Sequence, residues 1–214
     1  MNTEPKEMKT MWDVRFSEEG YAYGKEPNEF LKSVIESYEL TGSMLFPAEG
    51  EGRNAVYAAS QGLDVTAFDI SEEGRKKAMK LAAEKNVSID YEIGNLSDLE
   101  LSKKKFDSAA LIFAHFPVEI LTLYHNKIAD LIKPGGILIL EGFSKSHLPL
   151  RLDNPAVGGP GNIDMLFSLE SIQSDFSNFE VLMHGEVQVE LSEGKYHNGT
   201  ANVIRFIGRK REED

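Results

Sequence analysis

Residues 50–55 read GEGRNA, and Asp69 stands seventeen positions beyond Gly52, at the end of the next apolar run. Gly50, Gly52 and Ala55 satisfy the spacing G-x-G-x-x-A. In that spacing the glycines allow a tight turn and close backbone approach to a ligand, and a downstream acid takes ribose hydroxyls. The apolar run SMLFPA (43–48) precedes the loop and the helical pattern RNAVYAASQG follows it. That placement favours a nucleoside site over a plain tight turn.

Glu49 and Glu51 decide between nucleosides. A pyrophosphate seated on a helix N-terminus needs backbone N–H donors and is repelled by nearby carboxylates. S-adenosyl-L-methionine has no phosphate and carries a sulfonium and an ammonium, so a loop holding Glu49, Glu51 and Asn54 suits it. A nicotinamide-dependent oxidoreductase is the alternative for the same spacing, weakened by the acidic loop and the want of a second catalytic domain. A non-catalytic nucleoside-binding domain of the same fold is a third reading.

Other residues could act on an acceptor. His115 follows the apolar run ALIFA at the expected carboxyl end of a strand, where it would line the site and is a candidate for proton transfer. His197 and Glu190 lie in and beside the turn-rich SEGKYHNG, as substrate-side groups, and His197 shares with His115 the candidacy for the base that a hydroxyl acceptor would need. Arg151, in the irregular stretch SHLPLRLDNPAVGGPGNID, is a possible anchor for an anionic acceptor. Long loops of that composition are functional or disordered. Trp12, Phe16, Tyr21 and Tyr23 crowd the segment WDVRFSEEGYAYG, either as caps on the core or as a lid whose ring faces attract a cation. The five histidines show no metal-ligand spacing.

The elements that must position these residues are legible as a rhythm. Strand-like runs at 43–48, 64–70, 88–94, 106–114 and 136–143 alternate with helical stretches, which predicts βαβ units and a parallel sheet. The runs ALIFA and ILIL are apolar without alternation, as in strands covered on both faces. NEFLKSVIESY predicts a helix behind an Asn28 cap, and Pro47 predicts the end of the first strand's ladder. After a helix over SLESIQSDF, two strands (179–191 and 200–210) are joined by a connection too short for a helix, so they form an antiparallel hairpin. Its turn then lies at the carboxyl edge of the sheet, where open α/β sheets bind ligands.

On AEGEGRN, Asp69, GNLSDL, LIKPGG and the C-terminal hairpin, the chain resembles the S-adenosylmethionine-dependent methyltransferases of the seven-stranded, Rossmann-like class. WDVRFSEEGYAYGKEPNEFL with GEGRNAVYAA is similar to the small tellurite-resistance and thiopurine types, which act on soft or small-molecule acceptors. The resemblance implies a doubly wound seven-stranded sheet, mostly parallel with an antiparallel last strand. It implies that Gly50 and Gly52 pass under the methionine part of the donor, that Asp69 takes the ribose and that Ile70 packs on the adenine. Asn95 and Leu96 would sit at the adenine edge, Ala114 and His115 near the transferring methyl, and Trp12, Arg15 and Tyr23 over the donor. The chain departs from the family where Phe46 replaces the first-strand acid, whose role Glu49 would assume. It departs again where Ala48 replaces the first glycine and Asn95 a common Asp.

The 214 residues, 41% hydrophobic and 27% charged, fit one globular domain. Its expected parts are an N-terminal lid and helix (1–40), a donor-binding core (43–143), an acceptor-side loop and helix (144–178) and the hairpin (179–210). A formal net charge of −12 argues against a nucleic-acid or anionic-membrane surface. The chain has no cysteine, no signal-peptide pattern at its N-terminus and no apolar run approaching a membrane span. These features predict a cytoplasmic protein, monomeric or homodimeric, with a small-molecule acceptor.

Overall fold

The computed structural model describes residues 5–101 and 104–212. The first four residues of the expected lid and residues 102–103 of SDLELSKK lie outside the described residues. Helix α1 spans Pro5–Ser17 and α2 spans Glu29–Ser37. The side chain of Asn28 accepts from Leu31 N and caps α2, whose Phe30, Leu31, Val34 and Ile35 are buried. Then come β1 (Ser43–Pro47), α3 (Arg53–Ser60), β2 (Asp64–Asp69), α4 (Glu72–Glu84), β3 (Asp90–Ile93) and β4 (Phe106–Ile112). The chain continues through α5 (Leu121–Leu131), β5 (Ile132–Phe143), α6 (Leu148–Asp153), α7 (Leu169–Asp175), β6 (Phe179–Glu193) and β7 (His197–Lys210).

The seven strands form one sheet in the order β3-β2-β1-β4-β5-β7-β6. All pairings are parallel except those of β7, which runs antiparallel to both β5 and β6. The expected fold class is therefore the observed one. Along β1 the side chains alternate between two cores: Met44 and Phe46 face the cluster holding α2, α3 and α4, while Leu45 faces the one holding α5 and α7. All three are fully buried, as a central strand covered on both faces requires. Among the described residues no helix is long and apolar enough to cross a membrane.

Three stretches differ from expectation. The fifth strand begins at Ile132 rather than Gly136, because Ile132 pairs with Phe106 before the register shifts and resumes at Ser108 with Ile137. The hairpin connection is far tighter than 192–199. Glu193 pairs directly with His197, leaving residues 194–196 as the turn, with Gly194 at φ +65 supplying the left-handed step. The acceptor-side stretch is not irregular throughout. It contains α6 and short 3-10 turns at Lys145–His147, Pro155–Val157 and Ile163–Met165.

Candidate active site

β1 and β4 are neighbours, yet β2 and β3 lie to one side of them and β5 to the other. The crevice beyond their carboxyl ends is thus the topological switch point, where open α/β sheets take ligands. Backbone strain marks both lips. Ala48, just past β1, has φ +52, and Phe113, just past β4, has φ +53. Left-handed backbone costs a residue with a side chain about 1–2 kcal/mol, and such outliers gather at ligand sites. Ala48 thus holds a left-handed conformation that favours glycine. Between them, Gly50 (φ +62) and Gly52 (φ +86) carry the turn. A Cβ on Gly52 would lie 2.5 Å from Ala78 Cβ, so this glycine lets α3 and α4 pack closely.

The acids of the loop point in different directions. Asp69 is buried and accepts from Gly50 N (3.0 Å) and Ser71 N (2.9 Å). Burial pushes its carboxyl up to about 6. Tyr91 Oη donates to Gly50 O at 2.6 Å and completes the loop's support. Glu49 turns back onto α3. Its Oε1 accepts both Asn54 N and Ala55 N at 2.8 Å, satisfying two orphan donors of that helix's first turn. Its Oε2 makes no hydrogen bond among the described residues, and burial raises its carboxyl to about 7. Glu51 faces away, accepting from Ala22 N (2.7 Å) and from the Lys77 ammonium (2.8 Å). Asn54 Oδ1 accepts from Asn28 N at 2.9 Å and ties α3 to α2.

Around this loop the structure gathers the expected adenine-side residues. Gly94 N donates to Asp69 O at 3.0 Å, which brings the stretch after β3 beside the acid. Asn95 and Ile70 are partly exposed there, and Leu96 is buried. Asn95 Nδ2 donates to Asp98 at 2.9 Å.

The N-terminal segment, expected as a lid, is helical as far as Ser17 and docked. Asp13 accepts from Ser71 Oγ (2.6 Å) and Glu72 N (3.0 Å), capping α4 from outside. Phe16 is buried against Gly50 and Gly74, and Trp12 stacks on it at 5.3 Å. Arg15 donates to Tyr23 Oη at 3.0 Å, with its guanidinium 5.2 Å from the Trp12 ring and 4.5 Å from the Tyr196 ring. Arg15 and Tyr23 therefore meet Tyr196 of the hairpin turn, and Trp12 lies against Arg15 and Phe16.

The two histidines differ in kind. His115 Nδ1–H donates to Met165 O (2.8 Å) and its Nε2 accepts from Phe143 N (3.0 Å). Burial holds it down at about 3, so it is a neutral strut between the end of β4, β5 and the acceptor-side loop. Both nitrogens are spent, and this corrects the expectation that His115 could transfer a proton. Ala114 beside it is buried. His197 opens β7 with Nδ1–H donating to Glu193 Oε2 at 3.0 Å, while its Nε2 has no partner among the described residues. Its ring lies 4.4 Å from both Phe113 and Tyr23.

Glu190 is exposed and pairs with the Thr200 hydroxyl, lining a cavity of about 300 Å³ with Arg53, Glu141 and Arg205. Arg151 spends Nε on Gly159 O at 2.7 Å and braces the acceptor-side loop. Sequence reasoning missed Glu193 and Arg53, whose carboxylate and guanidinium pair at 2.8 Å. It also missed Asn28, which bridges Glu193 (3.2 Å) and Glu141 (2.6 Å). Arg53 stood inside GEGRNA and Glu193 four residues before His197, but only the ladder register brings them together. Among the described residues no cluster of His, Asp or Glu could hold a metal.

Residues 47–136 match the family model described as a methyltransferase domain. No curated protein matches the sequence. One similar solved structure is described by the conversion of a disulfide bond into a thioacetal group during echinomycin biosynthesis. It is 15% identical at TM-score 0.78, covering 97% of this chain and 93% of that one. TehB from Haemophilus influenzae is 15% identical at TM-score 0.66, covering 86% of this chain and 62% of its own. Magnesium protoporphyrin IX methyltransferase from Synechocystis PCC 6803, with bound SAH, is 17% identical at TM-score 0.64, covering 85% and 80%. Likeness at such identities speaks for the fold.

Proposed function

We propose that the protein is an S-adenosyl-L-methionine-dependent methyltransferase acting on a small-molecule acceptor. The observation that carries this reading is Glu49. Its carboxylate already occupies Asn54 N and Ala55 N, the helix donors that a dinucleotide pyrophosphate would need, and opposes any phosphate there. The nicotinamide reading loses its anchor. A cationic donor instead meets two acids, Glu49 and Asp69, whose carboxyls burial raises to about 7 and about 6. Glu49 Oε2 is free to accept from an ammonium. Asp69 would take the ribose, with Ile70, Asn95 and Leu96 beside the base and Trp12, Arg15 and Tyr23 above.

Bound there, the donor supplies a methyl group already activated on a positively charged sulfur. The chain's residues then need only align an acceptor, exclude water and accept any proton released. Phe113, Phe143, Tyr23 and the docked Phe16 supply the water-excluding rings. A soft nucleophile such as a thiol or a metalloid fits chemistry that asks little of a base. Calorimetry with S-adenosylmethionine, S-adenosylhomocysteine and NAD tests the reading. Binding of the first two and not the third is expected, and the reverse pattern overturns it. Turnover on small thiols, phenols and metalloid anions separates an enzyme from a non-catalytic nucleoside binder.

A further inference from the structure

We infer that Glu193 and His197 form a base dyad, and that the acceptor is a neutral small molecule that gives up an S–H or O–H proton as it is methylated. This rests on the methyltransferase reading and narrows its acceptor to protic nucleophiles.

The placement comes from the sheet. β7 runs antiparallel to β5, so its first residue, His197, lies at the carboxyl edge that carries the switch-point crevice. The ring contact with Phe113, at 4.4 Å, brings the imidazole to the lip of β4 itself. Tyr23 at 4.4 Å and Phe143 at 5.3 Å complete a ring-lined wall suited to an uncharged acceptor. The backbone at Gly158 runs alongside, where an added Cβ would come within 3.1 Å of Nε2.

The chemistry comes from the partners. Glu193 accepts from Nδ1–H, which leaves Nε2 as the lone-pair nitrogen. Arg53, only 7% exposed, donates to the same Glu193 oxygen and is thereby neutralised. Glu193 is held ionised near 2 by His197 and Arg53 despite its burial. Burial in turn lowers the His197 value, Glu193 opposes that, and Arg53 and His147 add to it. His115, Tyr23, Phe113, Phe143 and the Gly158 backbone also surround it, and none of them contributes a negative charge. The imidazole is therefore neutral near pH 7 and able to take a proton. In the step, the acceptor's X–H bond breaks as Nε2 takes the proton. The lone pair on X forms the X–CH3 bond while the S–CH3 bond breaks, and its electrons return to sulfur. Glu193 stabilises the imidazolium until the proton passes to water. His197 is the catalytic base and Glu193 its positioning residue.

Two acceptors of one kind separate base catalysis from architecture. Benzyl mercaptan keeps its proton at pH 7, whereas 4-nitrothiophenol is already a thiolate. His197→Asn should cut kcat on benzyl mercaptan about 100-fold or more and spare 4-nitrothiophenol. Glu193→Gln should lower kcat on the first and move the acid limb of its pH profile to lower pH, with S-adenosylhomocysteine affinity unchanged. Phenol in place of benzyl mercaptan reports whether the proton comes from oxygen as well as sulfur. Nitrogen-15 spectra of the imidazole, read with S-adenosylhomocysteine and without any acceptor, should show His197 protonated at Nδ1 alone at pH 7. Equal loss on both thiols, an unmoved acid limb, a proton on Nε2, or turnover of tellurite with none on thiols or phenol overturns the proposal. Failure of the donor and its product to bind instead overturns the methyltransferase reading, and the imidazole spectrum is read independently of it.

Discussion

Glu49→Gln should make the free protein more stable at pH 8 and, at the same time, a poorer binder of S-adenosylmethionine. Burial lifts this carboxyl from its ordinary 4.5 to about 7. An acid whose folded value is raised costs the folded state as pH climbs from the unfolded value to the folded one, and the full cost persists above. At about 1.4 kcal/mol per decade of proton affinity, the interval is worth roughly 3 kcal/mol at pH 8. Glu49 keeps some solvent contact, which screens the charge, so about 1–2 kcal/mol is the working figure. Glutamine retains an oxygen for Asn54 N and Ala55 N but forfeits roughly 0.3–1 kcal/mol of charge attraction to the helix N-terminus. A net gain of about 1 kcal/mol should raise Tm by roughly 2–4 °C in a chain of this size. The gain should shrink toward pH 4.5, where glutamate and glutamine are both neutral in the folded protein. Thermal melts at pH 8 and pH 5 read the stability, and calorimetry reads the expected loss of tenfold or more in affinity. A variant less stable at pH 8 than at pH 5, relative to wild type, would refute the assignment of a buried, charge-penalised acid.

Donor binding should release protons near pH 6.5, since a bound cation favours the ionised forms of Glu49 and Asp69, raised to about 7 and 6. Affinity should fall as pH drops through that window, and calorimetry in buffers of different ionisation enthalpy should detect the release. Asp69→Ala should weaken donor binding tenfold or more and also cost roughly 1–3 kcal/mol, because Gly50 N and Ser71 N lose their acceptor. Unchanged affinity in a folded variant removes Asp69 from the site. Gly52→Val should lose both binding and most of its stability, since φ +86 and the 2.5 Å approach to Ala78 leave no room for a side chain; normal denaturant unfolding would disprove that tight contact. Hydrogen exchange across residues 12–24 should slow when S-adenosylhomocysteine is added if this segment opens for the donor. Equal protection with and without it means that the segment is permanently docked.

Much of the frame was legible because burial imposes it. Unbroken apolar runs such as ALIFA can only be strands covered on both faces, and the glycine spacing announces itself. The charged residues misled, because their sequence neighbours are not their neighbours in space. Glu49 and Glu51 read as one acidic loop, yet the left-handed step at Gly50 sends one to α3 and the other to Lys77. His197 read as a substrate-side group with no visible partner and Glu193 as part of the turn, and only direct pairing across a three-residue reversal joins them. His115 was placed correctly at a strand end, but no local pattern could tell that Met165 and Phe143 would consume both nitrogens. Helix α1 escaped notice because its apolar residues split between two environments: Phe16 is buried, while Met11 and Val14 face solvent.

The seam at the hairpin tip has a consequence for how the protein is made. Lys195 N and Tyr196 N both donate to Ala22 O, and Gly194 packs against the backbone at Gly24. Glu18 takes both Lys195 and Tyr196. Partners some 170 residues apart close the wall on which Arg15, Tyr23 and His197 stand. On a ribosome the glycine loop and its first strands leave the exit tunnel long before that wall can exist. The nascent chain therefore exposes an unroofed crevice, with Phe113 and Phe143 uncovered on one side, until the β6–β7 hairpin is synthesised and turns back. Long-range closure of this kind is slow. The two strands translated after the rest of the sheet are thus the ones that seal off the apolar surface most prone to wrong contacts.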